Sequence, residues 1–142
     1  MMKSTLVKDW MTSDVVTIAP GTALSVAHRL MIDRQVRRLP VVKKNGNLVG
    51  IVTRGDIRGA EPSDATTLTI WEINYLLAHL KIKEIMTAKP FTVSSDATLA
   101  EAANLMLEHK VSGLPVVDKN DKVVGIITES DLFHFMVKAW PD

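Results

Sequence analysis

Two short runs concentrate the side chains of this chain that could do chemistry: Gly50, Thr53 and Asp56, and again Gly125, Thr128 and Asp131. Both read Gly-x-x-Thr-x-x-Asp, and both sit where an apolar, strand-like stretch gives way to a helical pattern. The first turn of a helix presents unpaired N–H groups and the positive end of the helix dipole, which suits an anion. Thr at that place caps the turn and can offer its hydroxyl to a ligand. An Asp three residues later, facing a pocket, can accept both hydrogens of a vicinal diol such as a ribose, and the glycine lets the strand approach a neighbour closely. The same Thr and Asp also make a capping box, which accounts for both residues without any ligand. Duplication does not separate the two readings, because a cap is copied as easily as a site.

Few other chemistries are available. The chain has no cysteine, which removes thiolate nucleophiles, disulfides and cysteine metal sites. His28, His79, His109 and His134 lack the H-x-x-x-H or carboxylate-paired spacing of a metal site, so none is expected. No Walker loop, Gly-x-Ser-x-Gly or Gly-x-Gly-x-x-Gly is present and no nucleophile is paired with a base, so a non-enzyme is expected, with no catalytic residues. Seventeen Lys and Arg against sixteen Asp and Glu are too balanced for a nucleic-acid or membrane-surface binder. The first ten residues carry charges before an apolar stretch can build, and no run approaches the roughly 18–20 apolar residues of a membrane span. The expectation is a cytoplasmic protein.

The elements that must position the motifs follow from an internal repeat. Shifted by 75 residues, Met11–Ile57 lies over Met86–Leu132 without a gap; VRRLPVVKKNGNLVGIVTRGDI becomes VSGLPVVDKNDKVVGIITESDL. Each copy is too small to enclose a core comfortably, so the two are expected to pack about a pseudo-twofold axis, with a pocket at their seam. Within a copy, Val15–Ile18 or Phe91–Val93 reads as a short strand. A helix follows, with Leu24, Ala27, Leu30 and Met31, or Leu99, Ala102, Leu105 and Met106, on its apolar face. Next come strands over Leu39–Val42 and Leu48–Val52, joined through Asn45-Gly46, a type I′ hairpin signal that weakens to Asn120-Asp121 in the second copy. The unit is β-α-β-β-α and the class α/β. Domain bounds are residues 1–60 for the first repeat, 61–81 for a linker and 82–142 for the second repeat. In the linker, Glu61-Pro62-Ser63-Asp64 is a loop, and Thr69 with Glu72 caps a helix through Leu80. Its apolar residues, Ile73, Leu76, Leu77 and Leu80 on one side and Trp71 and Tyr75 on another, give it two surfaces to bury, expected on its own domain and on a second chain, the alternative being simple burial. The apolar C-terminal stretch Leu132, Phe133, Phe135, Met136, Ala139 and Trp140, beside Pro141, is expected to pack on the domain or on a partner.

The paired LPVV…GIVT-x-x-D patterns resemble a tandem pair of cystathionine-β-synthase (CBS) domains, a Bateman module, over almost the whole chain. The linker PSDATTLTIWEINYLLAHLKIKEIMT resembles that of acetoin-utilisation-type CBS proteins, which often carry a C-terminal ACT domain; a CBS pair without the ACT domain is expected here. The resemblance implies a regulatory sensor with no obligatory cofactor. Its ligand would be an adenosine compound (AMP, ADP, ATP, S-adenosylmethionine or NAD) held in clefts between the repeats. Carried over by position, Asp56 and Asp131 would hold ribose hydroxyls and Thr53 and Thr128 the ribose-phosphate edge. Val36, Arg37 and Arg38, and Val111, Ser112 and Gly113, would meet base and phosphates, and Val16 and Phe91 would lie against adenine. Asp56 would share its ligand with Phe91 and Val111, and Asp131 with Val16 and Val36. The resemblance also implies a homodimer and a regulated protein partner. The alternative is an interaction scaffold whose pockets are vestigial.

Charge distinguishes the copies. Residues 1–60 carry +6, residues 61–81 −2 and residues 82–142 −3. Arg37, Arg38 and Arg54 stand around the first motif where Ser112, Gly113 and Glu129 stand around the second. Because phosphate prefers guanidinium to carboxylate, the Thr53/Asp56 cleft is expected to hold a di- or triphosphate tail better. Those arginines would equally serve as a solvated face, or match the acidic half of a neighbouring chain.

Overall fold

The computed structural model describes residues 1–63 and 66–140. Asp64, the end of the expected linker loop, and Pro141 lie outside the described residues. The chain forms two compact units, Val16–Lys89 and Met1–Val15 with Pro90–Asp142. The first carries eleven Lys and Arg against six Asp and Glu, the second six against ten, so they are the basic (+5) and acidic (−4) units below.

In the basic unit, helix α1 (Leu24–Arg34) is followed by strands β1 (Arg38–Val42) and β2 (Leu48–Thr53), then α2 (Arg54–Ala60), α3 (Ile70–His79) and β3 (Thr87–Ala88). The sheet order is β1-β2-β3, with both pairings antiparallel. Leu24, Ala27 and Met31 of α1 enter a core with Leu39, Val41, Val52, Ile57 and Ile82, as their helical and alternating spacings require, and Leu30 packs on its edge. In the acidic unit, β4 (Val93–Ser94), α4 (Leu99–His109), β5 (Gly113–Val117), β6 (Val123–Thr128) and α5 (Glu129–Ala139) follow, with sheet order β4-β5-β6. Here β4 runs parallel to β5 while β5 and β6 form an antiparallel hairpin. Leu99, Ala102 and Met106 of α4 join Leu114, Val116, Ile127, Leu132 and Phe135. The methionines of both helices are core filler, as their spacing predicts.

Two local expectations need correction. The first strand of copy one reduces to a single bridge. Only Ile18 pairs, its N–H donating to the Pro40 carbonyl at 3.1 Å and its carbonyl accepting from Val42 at 2.9 Å. In copy two the strand is β4, shifted to Val93–Ser94 from the expected Phe91–Val93. The hairpin turns are also not type I′, which needs positive φ at two central residues. At Asn45-Gly46 only Gly46 has it, at 88°, and in the other turn Asp121 has it, at 61°. Each hairpin instead has a three-residue loop. Lys43 N–H bonds to the Asn47 carbonyl at 2.9 Å, and Asp118 N–H to the Lys122 carbonyl at 2.9 Å. The loop ends on the left-handed residue, the turn that adds a bulge and keeps the strand twist.

The compact units do not coincide with the sequence copies. The Met-Thr step opening each copy packs on the hairpin that closes the other. Thr87 pairs with Ile51 of β2, and Thr12 bridges Ile126 of β6 through reciprocal bonds of 2.9 Å. The N-terminal segment is therefore part of the acidic unit: Val7 lies in its core, and Trp10 meets Phe135 edge-on with ring centroids 5.3 Å apart. Helix α3 begins at the expected cap, Thr69 Oγ1 accepting from Glu72 N–H at 3.2 Å. Leu77 and Leu80 pack on the basic core, while Trp71 is 81% exposed and Tyr75 64%. Of the C-terminal stretch, Leu132 and Phe135 are buried and Phe133, Met136 and Trp140 exposed. No helix among the described residues is long and apolar enough to cross a membrane.

Candidate functional site

Each motif glycine lies under a methionine. A Cβ built on Gly50 would strike Met86 Sδ and come within 3.0 Å of the Thr87 carbonyl oxygen. On Gly125 it would strike Met11 Sδ and lie 2.9 Å from the Thr12 carbonyl oxygen. The glycines therefore admit the Met-Thr segment onto the sheet, so the close approach expected from the sequence is to another strand. Met11 and Met86 carry no signal in the sequence beyond being repeated at the start of each copy.

At the ends of β2 and β6 the chain turns into α2 and α5. Thr53 Oγ1 accepts from Asp56 N–H at 3.1 Å, and Asp56 Oδ2 accepts from Thr53 N–H at 2.8 Å, a complete capping box. In the acidic unit Asp131 Oδ2 accepts from Thr128 N–H at 2.9 Å and from its hydroxyl at 3.3 Å. The capping role weighed in the sequence is thus real. It engages one carboxylate oxygen of each Asp, and both carboxylates remain half-buried rather than sealed in. A second acceptor oxygen on each is compatible with a ribose diol.

Around each box the hairpin assembles the remaining candidates. Arg38 stands opposite Thr53 in the β1–β2 register, and Arg54 N–H donates to the Arg37 carbonyl at 2.8 Å. Gly113 stands opposite Thr128, and Glu129 N–H donates to the Ser112 carbonyl at 3.0 Å. Val36 and Val111 are fixed just before these strands by N–H bonds to Met31 and Met106 carbonyls at 3.0 and 3.1 Å. The basic unit thereby brings Val36, Arg37, Arg38, Thr53 and Asp56 to one strand-helix junction, and the acidic unit does the same with Val111, Ser112, Gly113, Thr128 and Asp131. Val16 lies against the basic core. Phe91 is half exposed and stacks on His109, with ring centroids 3.6 Å apart and planes 8° from parallel. That pairing, 18 residues apart in sequence, was invisible to periodicity and gives His109 a packing role. The residues expected to share a ligand, Asp56 with Phe91 and Val111, and Asp131 with Val16 and Val36, belong to different units. Among the described residues no three His, Cys, Asp or Glu side chains cluster in a way that could hold a metal ion.

Family comparison agrees with this architecture, the CBS domain model matching residues 7–63 and again 82–138. The chain belongs to the CBS domain family. A CBS domain-containing protein of Dictyostelium discoideum is 37% identical over 134 residues, covering 94% of this chain and 92% of that one. The CBS domain pair of protein MJ0100, solved in complex with 5′-methylthioadenosine and S-adenosyl-L-methionine, superposes with a TM-score of 0.79 at 31% identity, covering 96% of this chain and 98% of that one. CBSX2 of Arabidopsis thaliana, solved in complex with AMP, gives 0.79 at 28% identity over 95% and 98%. An acetoin utilization protein (AcuB) of Vibrio cholerae gives 0.76 at 33% over 94% and 90%, in keeping with the linker resemblance. The chain also matches archaeal homoserine O-acetyltransferases, of which it spans only 23% of the length. The α/β class expected from the repeat, and the two CBS domains in tandem that the resemblance implies, are thus established.

Proposed function

We propose that this chain is a regulatory module that binds adenosine-containing ligands at its two Thr-x-x-Asp junctions and passes occupancy on as altered packing against a second copy or a partner protein. The observation that carries this reading is that two structures matching nearly the full chain hold such ligands, AMP in one and 5′-methylthioadenosine with S-adenosyl-L-methionine in the other. The half-buried Asp56 and Asp131, each with one oxygen engaged in a cap, support it as ribose acceptors. Arg37, Arg38 and Arg54 are assigned to phosphate. Transmission is by linkage: a ligand shifts the equilibrium between two packings only by its difference in affinity for them. The exposed Trp71 and Tyr75 on α3 are assigned to contact with a second copy, giving a homodimer in the cytoplasm.

Thermal denaturation of the purified protein with AMP, ATP, S-adenosylmethionine and NAD tests the reading. A ligand at a hundred times its Kd should add about 2.7 kcal/mol of stability. Asp56→Asn combined with Asp131→Asn should abolish that gain while leaving the unliganded melting temperature within a few degrees. The complete capping box at Thr53 favours one competing reading, a scaffold whose Thr and Asp act only as caps. Absence of any shift with all four compounds would establish it. Turnover of ATP by the purified protein would instead show an enzyme.

A further inference from the structure

The two junctions share one backbone frame and differ in charge. The bonds Arg54 N–H to Arg37 O and Glu129 N–H to Ser112 O are equivalent, as are the registers Arg38 opposite Thr53 and Gly113 opposite Thr128. Three guanidinium-bearing positions in the basic unit, residues 37, 38 and 54, therefore correspond to Ser112, Gly113 and the carboxylate of Glu129. The first turn of α5 holds two acids, Glu129 and Asp131, whereas that of α2 holds Asp56 with Arg54 beside it. A helix N-terminus would ordinarily draw an anion, but in α5 two carboxylates already occupy that field.

Resting on the adenosine reading above, we infer that the two junctions select different 5′ substituents. The acidic junction takes adenosine whose 5′ group is uncharged or cationic, of the thioether or sulfonium class, and the basic junction takes 5′ phosphates. A phosphate brought to the acidic junction meets Glu129 and Asp131 with no guanidinium supplied by residues 112 or 113. A sulfonium there meets opposite charge. One chain would then report phosphorylated and sulfur-bearing adenosine separately.

Calorimetric titration of the full chain with ATP and with 5′-methylthioadenosine, alone and together, tests the assignment. The expected result is one ATP per chain and one methylthioadenosine that saturating ATP does not displace. Arg54→Glu should weaken ATP by roughly tenfold or more, the loss growing smaller as salt is raised. Glu129→Arg should raise the ATP stoichiometry from one to two. Both residues are exposed, and the gain in Glu129→Arg decides the matter even if Arg54→Glu fails to fold. Displacement of methylthioadenosine by ATP mole for mole, or an unchanged ATP stoichiometry in Glu129→Arg, would overturn the assignment while leaving adenosine binding intact. No binding of either compound would overturn the assignment, and the adenosine reading falls with it if AMP, S-adenosylmethionine and NAD also fail to bind.

Discussion

The basic and acidic units are built to one plan and finished differently. Both carry the same hairpin, the same Met-over-Gly contact and the same Thr-Asp junction. Yet α4 starts on Thr98, whose hydroxyl accepts from Glu101 N–H at 3.2 Å, while α1 starts on Ala23 with no side-chain cap. The hairpin loop ends on Gly46 in one unit and on Asp121 in the other. One junction carries arginine at residues 37, 38 and 54, and the other serine, glycine and glutamate at the equivalent positions 112, 113 and 129. What is shared is dictated by backbone geometry that admits one solution. What differs lies at exposed or half-exposed positions where fold stability tolerates change, and there ligand choice can diverge.

The sharpest way to break the comparison is through the shared glycines. Gly50→Ala and Gly125→Ala should each cost about 1–3 kcal/mol by overpacking, read as a lower urea midpoint at constant slope. Trimming Met86 or Met11 to Ala should not restore the loss, because the Thr87 and Thr12 carbonyl oxygens still stand 3.0 and 2.9 Å from the added methyl. If one glycine tolerates Ala and the other does not, the contacts are not equivalent. Next in size, Arg38→Ala should lower ATP affinity by roughly tenfold while changing affinity for unphosphorylated adenosine little, in keeping with a lost charge-assisted bond. Unchanged ATP affinity would return Arg38 to a surface role. Cap exchange comes third. Thr98→Ala should destabilise by about 1 kcal/mol, and Ala23→Thr should stabilise by a similar or smaller amount. Both are read by the same denaturation. The smallest effect expected is at the loops, where Asp121→Gly should gain about 0.5 kcal/mol by relieving a left-handed backbone, while Gly46→Ala should lose about as much or more.

Much of this was legible in the residues themselves. Leu24, Ala27 and Met31, and their counterparts Leu99, Ala102 and Met106, announce one buried helix face each, and they are buried. The alternation in LPVV and the Thr69/Glu72 spacing announce a strand and a cap just as directly. The strand at Val15–Ile18 misled because an apolar run shows that residues are sheltered but not how many of them find a hydrogen-bonding partner. Only Ile18 does. The Asn-Gly step misled because it marks where positive φ is affordable, whereas loop length decides how many residues need it. The stacking of Phe91 on His109 has no periodic signature at all, since it joins a segment before β4 to the last turn of α4.

The sequence by itself determined the duplicated β-α-β-β-α pattern, the two Thr-x-x-Asp caps and the unequal charges around them, because each depends on neighbours within a few residues or on a register of fixed length. Only the tertiary structure decided that the Met-Thr step of each copy belongs to the hairpin of the other. Both hairpins present the same glycine notch to the same dipeptide, so local preference cannot choose between them. The choice is made by chain connectivity and by the burial of Val7 and Trp10 against the acidic core and of Ile82 in the basic one.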